Sequence, residues 1–327
     1  MSIDVHAHCV PADLFAALEA EGAALGIELT DDRRAVIAGG KATMPIREDL
    51  IDFDARLAAM DEAGIETQVL SSWIDLTAYG LDAKDGERWS RRVNEALAEE
   101  AGRRPERFLA LATAPLQEPE MAASELRYAT EQLGMVGIEI ATRVGDGDLV
   151  SAALDPLWAV AEKLGSLVLL HPVDPLPGID LKRHFLENMV GRPAETTIAA
   201  ARLMFAGVFD RYPELRVCLV HGGGFLPYQV GRMQRGWEAK PGVAATDLAT
   251  PPMEAVRGLY YDTIVHNPLA LRYLIDLVGA DRIMLGTDYP FEAGDLDPLA
   301  TLESVPNLTD EERHLIVSGN ASAVLAQ

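Results

Sequence analysis

Ile3-Asp4-Val5-His6-Ala7-His8 is a β-prone run that ends on two histidines. In an extended segment, residues two apart face the same side, so both rings can meet one metal ion. A His-x-His pair alone carries little weight; its position at the end of a strand carries more. Working outward, three other apolar runs close in a similar way. They are Leu167-Val168-Leu169-Leu170-His171, then Val217-Cys218-Leu219-Val220-His221 followed by three glycines, and Ile283-Met284-Leu285-Gly286 followed by Thr287-Asp288. A histidine or carboxylate at the end of a buried strand must find a partner or bear the cost of desolvation. For His171 taken alone, a core histidine bonded to a carbonyl serves as well as a metal ligand. The glycines after His221 let backbone approach a site closely, and a cation would neutralise Asp288.

These runs belong to a longer alternation. Strands are expected at 3–6, 68–71, 108–112, 137–140, 167–171, 217–221, 259–262 and 283–286, with helical patterns between them. Leu50, Phe53, Leu57 and Met60 repeat at steps of three and four before Gly64, and Leu154, Leu157, Val160 and Leu164 do so before Gly165. Pro268 opens a helix that should end near Gly279; Thr309 and Glu312 have capping-box spacing, and the last helix is expected to stop at Gly319. Eight such units predict an α/β fold, a (β/α)₈ TIM barrel, as one domain over 1–327. A small insertion after strand 1, about 11–46 and including a Gly-Gly step, is expected over the barrel mouth. The Pro- and Gly-rich stretch 172–178 reads as a long loop after strand 5 rather than a linker. Groups capable of metal or proton chemistry thus fall after strands 1, 5, 6 and 8, on the face where such barrels build their sites.

Composition narrows the partners. Lys and Arg number 28 against 51 Asp and Glu, a net charge of −23, which argues against nucleic acid or an anionic membrane. An anionic substrate would need a few placed cations, so arginines near the site matter. Two cysteines, Cys9 and Cys218, fit reduced thiols; with no leader-like start and no apolar run of spanning length, a cytoplasmic enzyme is expected.

The chain resembles the amidohydrolase superfamily, in the branch around aminocarboxymuconate semialdehyde decarboxylase. The resemblance runs through residues 3–8, 47–60, His171-Pro172, Gly191-Arg192-Pro193-Ala194-Glu195-Thr196-Thr197, 221–224 with Gly231-Arg232, and 286–291. It implies that His6, His8, His171 and Asp288 bind the metal and that His221 is the catalytic acid/base. Residues 137–141 hold no lysine that could bridge a second ion, so one divalent metal is expected, Zn²⁺ first and Mn²⁺ next. Three imidazoles and a carboxylate leave room for water or substrate.

The resemblance also implies substrate-binding roles for Arg47 and Arg232, which would grip a carboxylate through the guanidinium fork, and for Phe291 as an aromatic wall. Trp73 is a further wall candidate, equally readable as core packing. A plainer alternative for Arg47 is an ion pair with Glu48 or Asp52. A homodimer is implied, with an active-site arginine crossing the interface where this chain reads Lys240. Phe185 and Asn188 stand where the family has tryptophans.

The function expected is nonoxidative decarboxylation of an unsaturated or aromatic carboxylic acid in aromatic-compound catabolism. A metal-dependent hydrolase or hydratase, acting on an amide, lactone or alkene, is the alternative. A metal-stabilised scaffold without catalysis is a third and predicts no role for His221. His184 and His314 are expected in solvent, His266 beside the site or structural, Asn320 in a turn, and acidic residues elsewhere chiefly on the surface.

Overall fold

Eight strands pair in parallel and in chain order: β1 Ile3–Cys9, β2 Thr67–Ser72, β3 Phe108–Ala112, β4 Gly137–Ala141, β5 Leu167–His171, β6 Arg216–Leu219, β7 Tyr260–Asp262 and β8 Ile283–Met284. The computed structural model describes residues 1–30, 35–38, 41–43, 45–77, 79–173, 176 and 178–326. The ring closes where the chain around β8 bonds back to β1: Val5 N–H donates to Leu285 O at 2.9 Å, Asp288 N–H to His6 O at 2.8 Å, and His8 N–H to Tyr289 O at 2.8 Å. This is the expected (β/α)₈ barrel, with strand ends shifted by up to three residues.

A principal helix follows each strand: α1 Phe53–Glu62, α2 Ala83–Arg103, α3 Pro119–Leu133, α4 Asp155–Leu164, α5 Arg192–Phe205, α6 Leu226–Ala239, α7 Pro268–Val278 and α8 over 310–325. The local sequence sets their ends. The Asp52 side chain caps α1 by accepting from the Asp54 and Ala55 N–H groups, and Gly64 turns the chain out of it with φ 70°. Asn267 caps α7, and Thr309 with Glu312 forms the expected capping box at α8.

Gly319 does not end α8. The helix widens into a π turn over Leu315–Gly319 and continues through Asn320–Leu325. The reason is burial: Ala321, Val324 and Leu325 pack with Ile3, Val5, Val69 and Leu169 in the barrel interior, which outweighs the poor helix propensity of one glycine. Asn320 is therefore not a turn residue; its buried amide donates to Ala280 O and Ile283 O, both at 2.7 Å.

The excursion after β1 holds a helix, Ala12–Glu21, and a small antiparallel sheet of Ile27–Leu29, Val36–Ala38 and Lys41–Ala42. Leu14, Leu18, Ile27 and Val36 join the main core, while Glu21 and Asp13 pair with Arg92 and Arg103 of α2. The Gly-Gly step at 39–40, and residues 174, 175 and 177 of the long loop after β5, lie outside the described residues.

Candidate metal centre

His6 and His8 leave β1 with their ring centroids 5.1 Å apart, and His171 at the end of β5 stands 5.2 Å from His6 and 4.7 Å from His8. All three are buried, as is Asp288. Asp262, the last residue of β7, accepts from His6 Nδ1 at 2.8 Å. His8 Nδ1 lies 3.2 Å from Ser71 Oγ and 3.5 Å from Glu139 Oε1. A proton held at Nδ1 in each ring leaves Nε2 with its lone pair. Those two Nε2 atoms face one another at 3.1 Å, with Asp288 Oδ1 at 3.5 and 3.3 Å. Lone pairs and a carboxylate oxygen so placed repel unless a cation sits among them.

The donor set passes a second test. His171 Nδ1 and Asp288 Oδ1 are buried without a hydrogen-bond partner, a condition that costs about 1–3 kcal/mol for each group and that a bound cation would relieve. Burial, then the neighbouring His8, His6 and His221, holds the His171 imidazole well below its usual range, so it is neutral and able to ligate. Against the cost of its own burial, Asp288 is held well below the carboxylate range by His6, His221 and His8. Donor atoms of His6, His171, His221 and Asp288 all lie within 4.8 Å of one another, as do those of His8, Glu139 and His171. These residues fit a divalent ion.

His221 is not the end of a strand. β6 stops at Leu219, and His221 sits in a tight turn with φ 57°, its backbone N–H donating to Asp262 Oδ2 at 2.9 Å. The glycines behind it are required: a Cβ on Gly222 would lie 2.2 Å from Val265 Cγ1, and one on Gly224 would lie 2.1 Å from Pro193 O. Asp288 also has φ 57°. Left-handed backbone at two chemistry-bearing residues is strain of the sort found at functional sites. His221 Nε2 lies 3.5 Å from Asp288 Oδ2, and its Nδ1 has no partner.

Three buried carboxylates support this cluster, as exceptions among acidic residues that are otherwise chiefly on the surface. Asp262 also accepts from Gly222 N–H at 2.7 Å. Asp4 accepts from His6 N–H, Thr287 N–H, Thr287 Oγ1 and Gln68 Nε2, so it clamps β1 to the loop that carries Asp288. Glu139, in the middle of β4, lies 3.5 Å from His8 Nδ1, and burial pushes its carboxyl up to about 7. Below them Arg56, fully buried, donates to Gln68 Oε1 at 2.7 Å and to His8 O. The signal available was a charged residue inside an apolar strand, as in Gly-Ile-Glu-Ile-Ala at 137–141.

The other candidates scatter. Phe291 lies 5.4 Å from the His8 ring. Trp73 is buried in the main core. Arg47 donates to Asp49 at 3.0 and 2.6 Å and pairs with Glu292 at 2.6 Å, rather than with Glu48 or Asp52. Arg232 is exposed on α6, and Lys240 is exposed at its end. His184, His266 and His314 are exposed. A cavity of about 670 Å³ opens over the cluster, lined by His221 and Asp288 together with Phe185, Asn188, Arg192 and His266.

A parallel eight-stranded barrel with imidazoles and a carboxylate gathered at its strand ends is the architecture of metal-dependent hydrolase-type enzymes. The family model described as amidohydrolase matches residues 3–326, and the chain belongs to that family. It is 31% identical over 324 residues to a 2-amino-3-carboxymuconate-6-semialdehyde decarboxylase of Dictyostelium discoideum, covering 98% of this chain and 90% of that one. It is 35% identical over 272 residues to a gamma-resorcylate decarboxylase of Rhizobium radiobacter, covering 76% and 80%. The crystal structure of a dihydroxybenzoic acid decarboxylase from a Polaromonas species, with bound manganese and the inhibitor 2-nitroresorcinol, superposes with a TM-score of 0.81. It is 27% identical, over 99% of this chain and 96% of that one.

Proposed function

We propose that this protein is a metal-dependent, nonoxidative decarboxylase of an unsaturated or aromatic carboxylic acid. The observation that carries the reading is the convergence of His6, His8, His171 and Asp288 on one buried point beside His221, in a chain whose relatives are decarboxylases of such acids. The enzyme is a carboxy-lyase of the amidohydrolase superfamily. In this reading His6, His8, His171 and Asp288 hold one ion; three nitrogens and one oxygen favour zinc, with manganese, as in the Polaromonas structure, the alternative.

When bound, the ion would supply positive charge to polarise an oxygen of the substrate. The chain's own residues do the rest. His221, on its fixed turn, gives a proton to the carbon that bears the carboxylate. The new C–H bond takes its electron pair from the substrate's π system; the C–C bond to that carboxylate then breaks, its pair restores the π bond, and CO₂ leaves. Phe291, close to His8, forms one wall for a flat substrate; Trp73 backs the site from the core. Arg47 reaches a substrate carboxylate by exchanging Glu292 for it. Arg232 and Lys240 face outward, beside exposed Phe225, Tyr228 and Val243; a homodimer joined on this face would offer them to a neighbouring cavity. No described helix is long and apolar enough to cross a membrane, and we place the enzyme in the cytoplasm, acting on a small carboxylate.

The test is anaerobic turnover of hydroxybenzoates and muconate-type acids by the metal-loaded enzyme, with CO₂ quantified. Stoichiometric CO₂ is the expected result. Consumption without CO₂, with labelled solvent oxygen entering the product, would replace this reading with hydrolysis or hydration at the same centre.

A further inference from the structure

Arg192 is the cation that lines the cavity over His221 and Asp288 among the described residues. Its position is built. The π turn Glu187–Gly191 runs straight into α5, which Arg192 opens. Glu195, one turn on, is buried and accepts from Thr142 Oγ1 at 2.9 Å and Arg143 Nε at 3.1 Å, tying α5 to the end of β4. Thr197 Oγ1 accepts from Phe225 N–H at 2.8 Å and so fastens the same helix to the turn after His221. The guanidinium is held by one bond, Nη1 to Pro172 O at 2.9 Å, and Pro172 directly follows His171. Among the described residues no carboxylate lies within ion-pair distance of Arg192, whereas Arg47 is neutralised by both Asp49 and Glu292. Asn188 lines the cavity alongside it, and Phe185, Met189, Phe225, Ile264 and Val265 make the remaining wall largely apolar.

A guanidinium pinned through one nitrogen, on a residue that lines a cavity, is arranged to take a planar anion. In a protein of net charge −23 it is also the group that offsets the field an anion would meet there. We propose that Arg192 binds a second carboxylate of the substrate, so that the acids this site prefers are planar dicarboxylates: one carboxylate departs as CO₂ and the other stays on Arg192. This deepens the decarboxylase reading and rests on it for the fate of the first carboxylate, but the recognition step stands apart from turnover.

The experiment measures binding of two inert probes, benzene-1,3-dicarboxylate and benzoate, to the metal-loaded enzyme and to R192Q and R192K by calorimetry at fixed ionic strength. Wild type should prefer the dicarboxylate by roughly tenfold or more, as a charge-assisted hydrogen-bonded contact implies. R192Q should lose that preference while keeping benzoate affinity within about twofold, and R192K should keep part of it. Metal content and thermal midpoint are read on each variant; should R192Q prove unstable, R192K alone must show a reduced preference. Equal affinity of wild type for the two probes would overturn the proposal, and so would a preference that survives in R192Q. Failure to release CO₂ from any acid, with the probe preference intact, would sink the decarboxylase reading and leave Arg192 as a dicarboxylate anchor.

Discussion

Asp262 ties His6 to His221: a single oxygen, Oδ2, accepts from His6 Nδ1 at 2.8 Å and from the His221 backbone N–H at 2.9 Å. One side chain thus fixes the tautomer of a proposed metal ligand and the turn that carries the proposed proton donor. An asparagine oxygen set in the Oδ2 position would turn its NH₂ against the Gly222 N–H that Oδ1 accepts at 2.7 Å, and the reverse rotamer would turn the NH₂ against His6 and His221. Asp262→Asn is therefore expected to weaken metal affinity by about 10–100-fold, the range for partners that orient a ligand. Metal titration of the apo-variant checks this; unchanged affinity would show that the aspartate only braces the turn.

His221 has a donor atom within 4.8 Å of those of His6, His171 and Asp288, so geometry alone admits it as a fifth ligand. The two roles separate on substitution. As a proton donor, His221→Asn should lower kcat by about 10²–10⁴-fold with the metal retained. Elemental analysis of the purified variant decides: loss of metal together with activity would make His221 a ligand.

Stripping the ion should abolish turnover and also lower the thermal midpoint, because Asp288 Oδ1 and His171 Nδ1 are left buried without a partner. At an ion concentration about 100 times its Kd, binding adds roughly 2.7 kcal/mol to stability. Melting after chelation, and again after adding back zinc or manganese in parallel, measures the effect and ranks the two metals by recovered activity. A midpoint indifferent to chelation would count against the proposed ligand set.

Much of this was legible in the sequence because the barrel writes its chemistry at strand ends. His6, His8, His171 and Asp288 each follow a buried apolar run, and burial makes an unpartnered polar group there conspicuous. The supporting carboxylates were harder to see. Asp4, Glu139 and Asp262 lie within the strands themselves, and their partners come from distant parts of the chain: Thr287 for Asp4, His6 for Asp262. A charge in a short strand reads as surface until the ring closes around it. The misplacement of His221 has another cause, since apolar Val220 prolongs the strand pattern past the point where backbone pairing ends. At Gly319, local propensity pointed to a stop that the burial of Val324 and Leu325 overrode.

Stability in acid should depend on the pair that seats α8. Arg272 donates to both Glu312 oxygens at 3.1 and 2.9 Å, and chiefly through these bonds, against some burial, the carboxyl is held down at about 2. An ordinary glutamate titrates at roughly 4.3. With the folded value below the unfolded one, the contribution is complete above about pH 4.3 and drains away as pH falls toward 2. Glu312→Gln should lower the midpoint by roughly 2 °C at pH 7 for a partly exposed pair worth about 1 kcal/mol. The gap to wild type should narrow between about pH 4.3 and pH 3; a gap constant across that range would mean that the capping box, and not the charge, is what matters.

In the proposed reading, Glu292 would decide whether Arg47 is available to substrate. The guanidinium is shared between Asp49, its near neighbour in the chain, and Glu292, which lines the cavity and is 77% exposed. An exposed partner is readily released, since such pairs contribute little net stability. Glu292 then acts as a placeholder that an incoming carboxylate must displace, and its own charge repels that carboxylate on approach. Removing the charge should help binding without touching the bond-breaking step. Glu292→Gln is expected to lower KM for an anionic substrate several-fold, with kcat within about twofold of wild type, an effect confined to ground-state binding. Raising ionic strength should shrink the difference, because screening acts on the same charge. Arg47→Gln made in the Glu292→Gln background must then erase the gain; if the gain persists, Glu292 works through its field alone and Arg47 is not the substrate's partner.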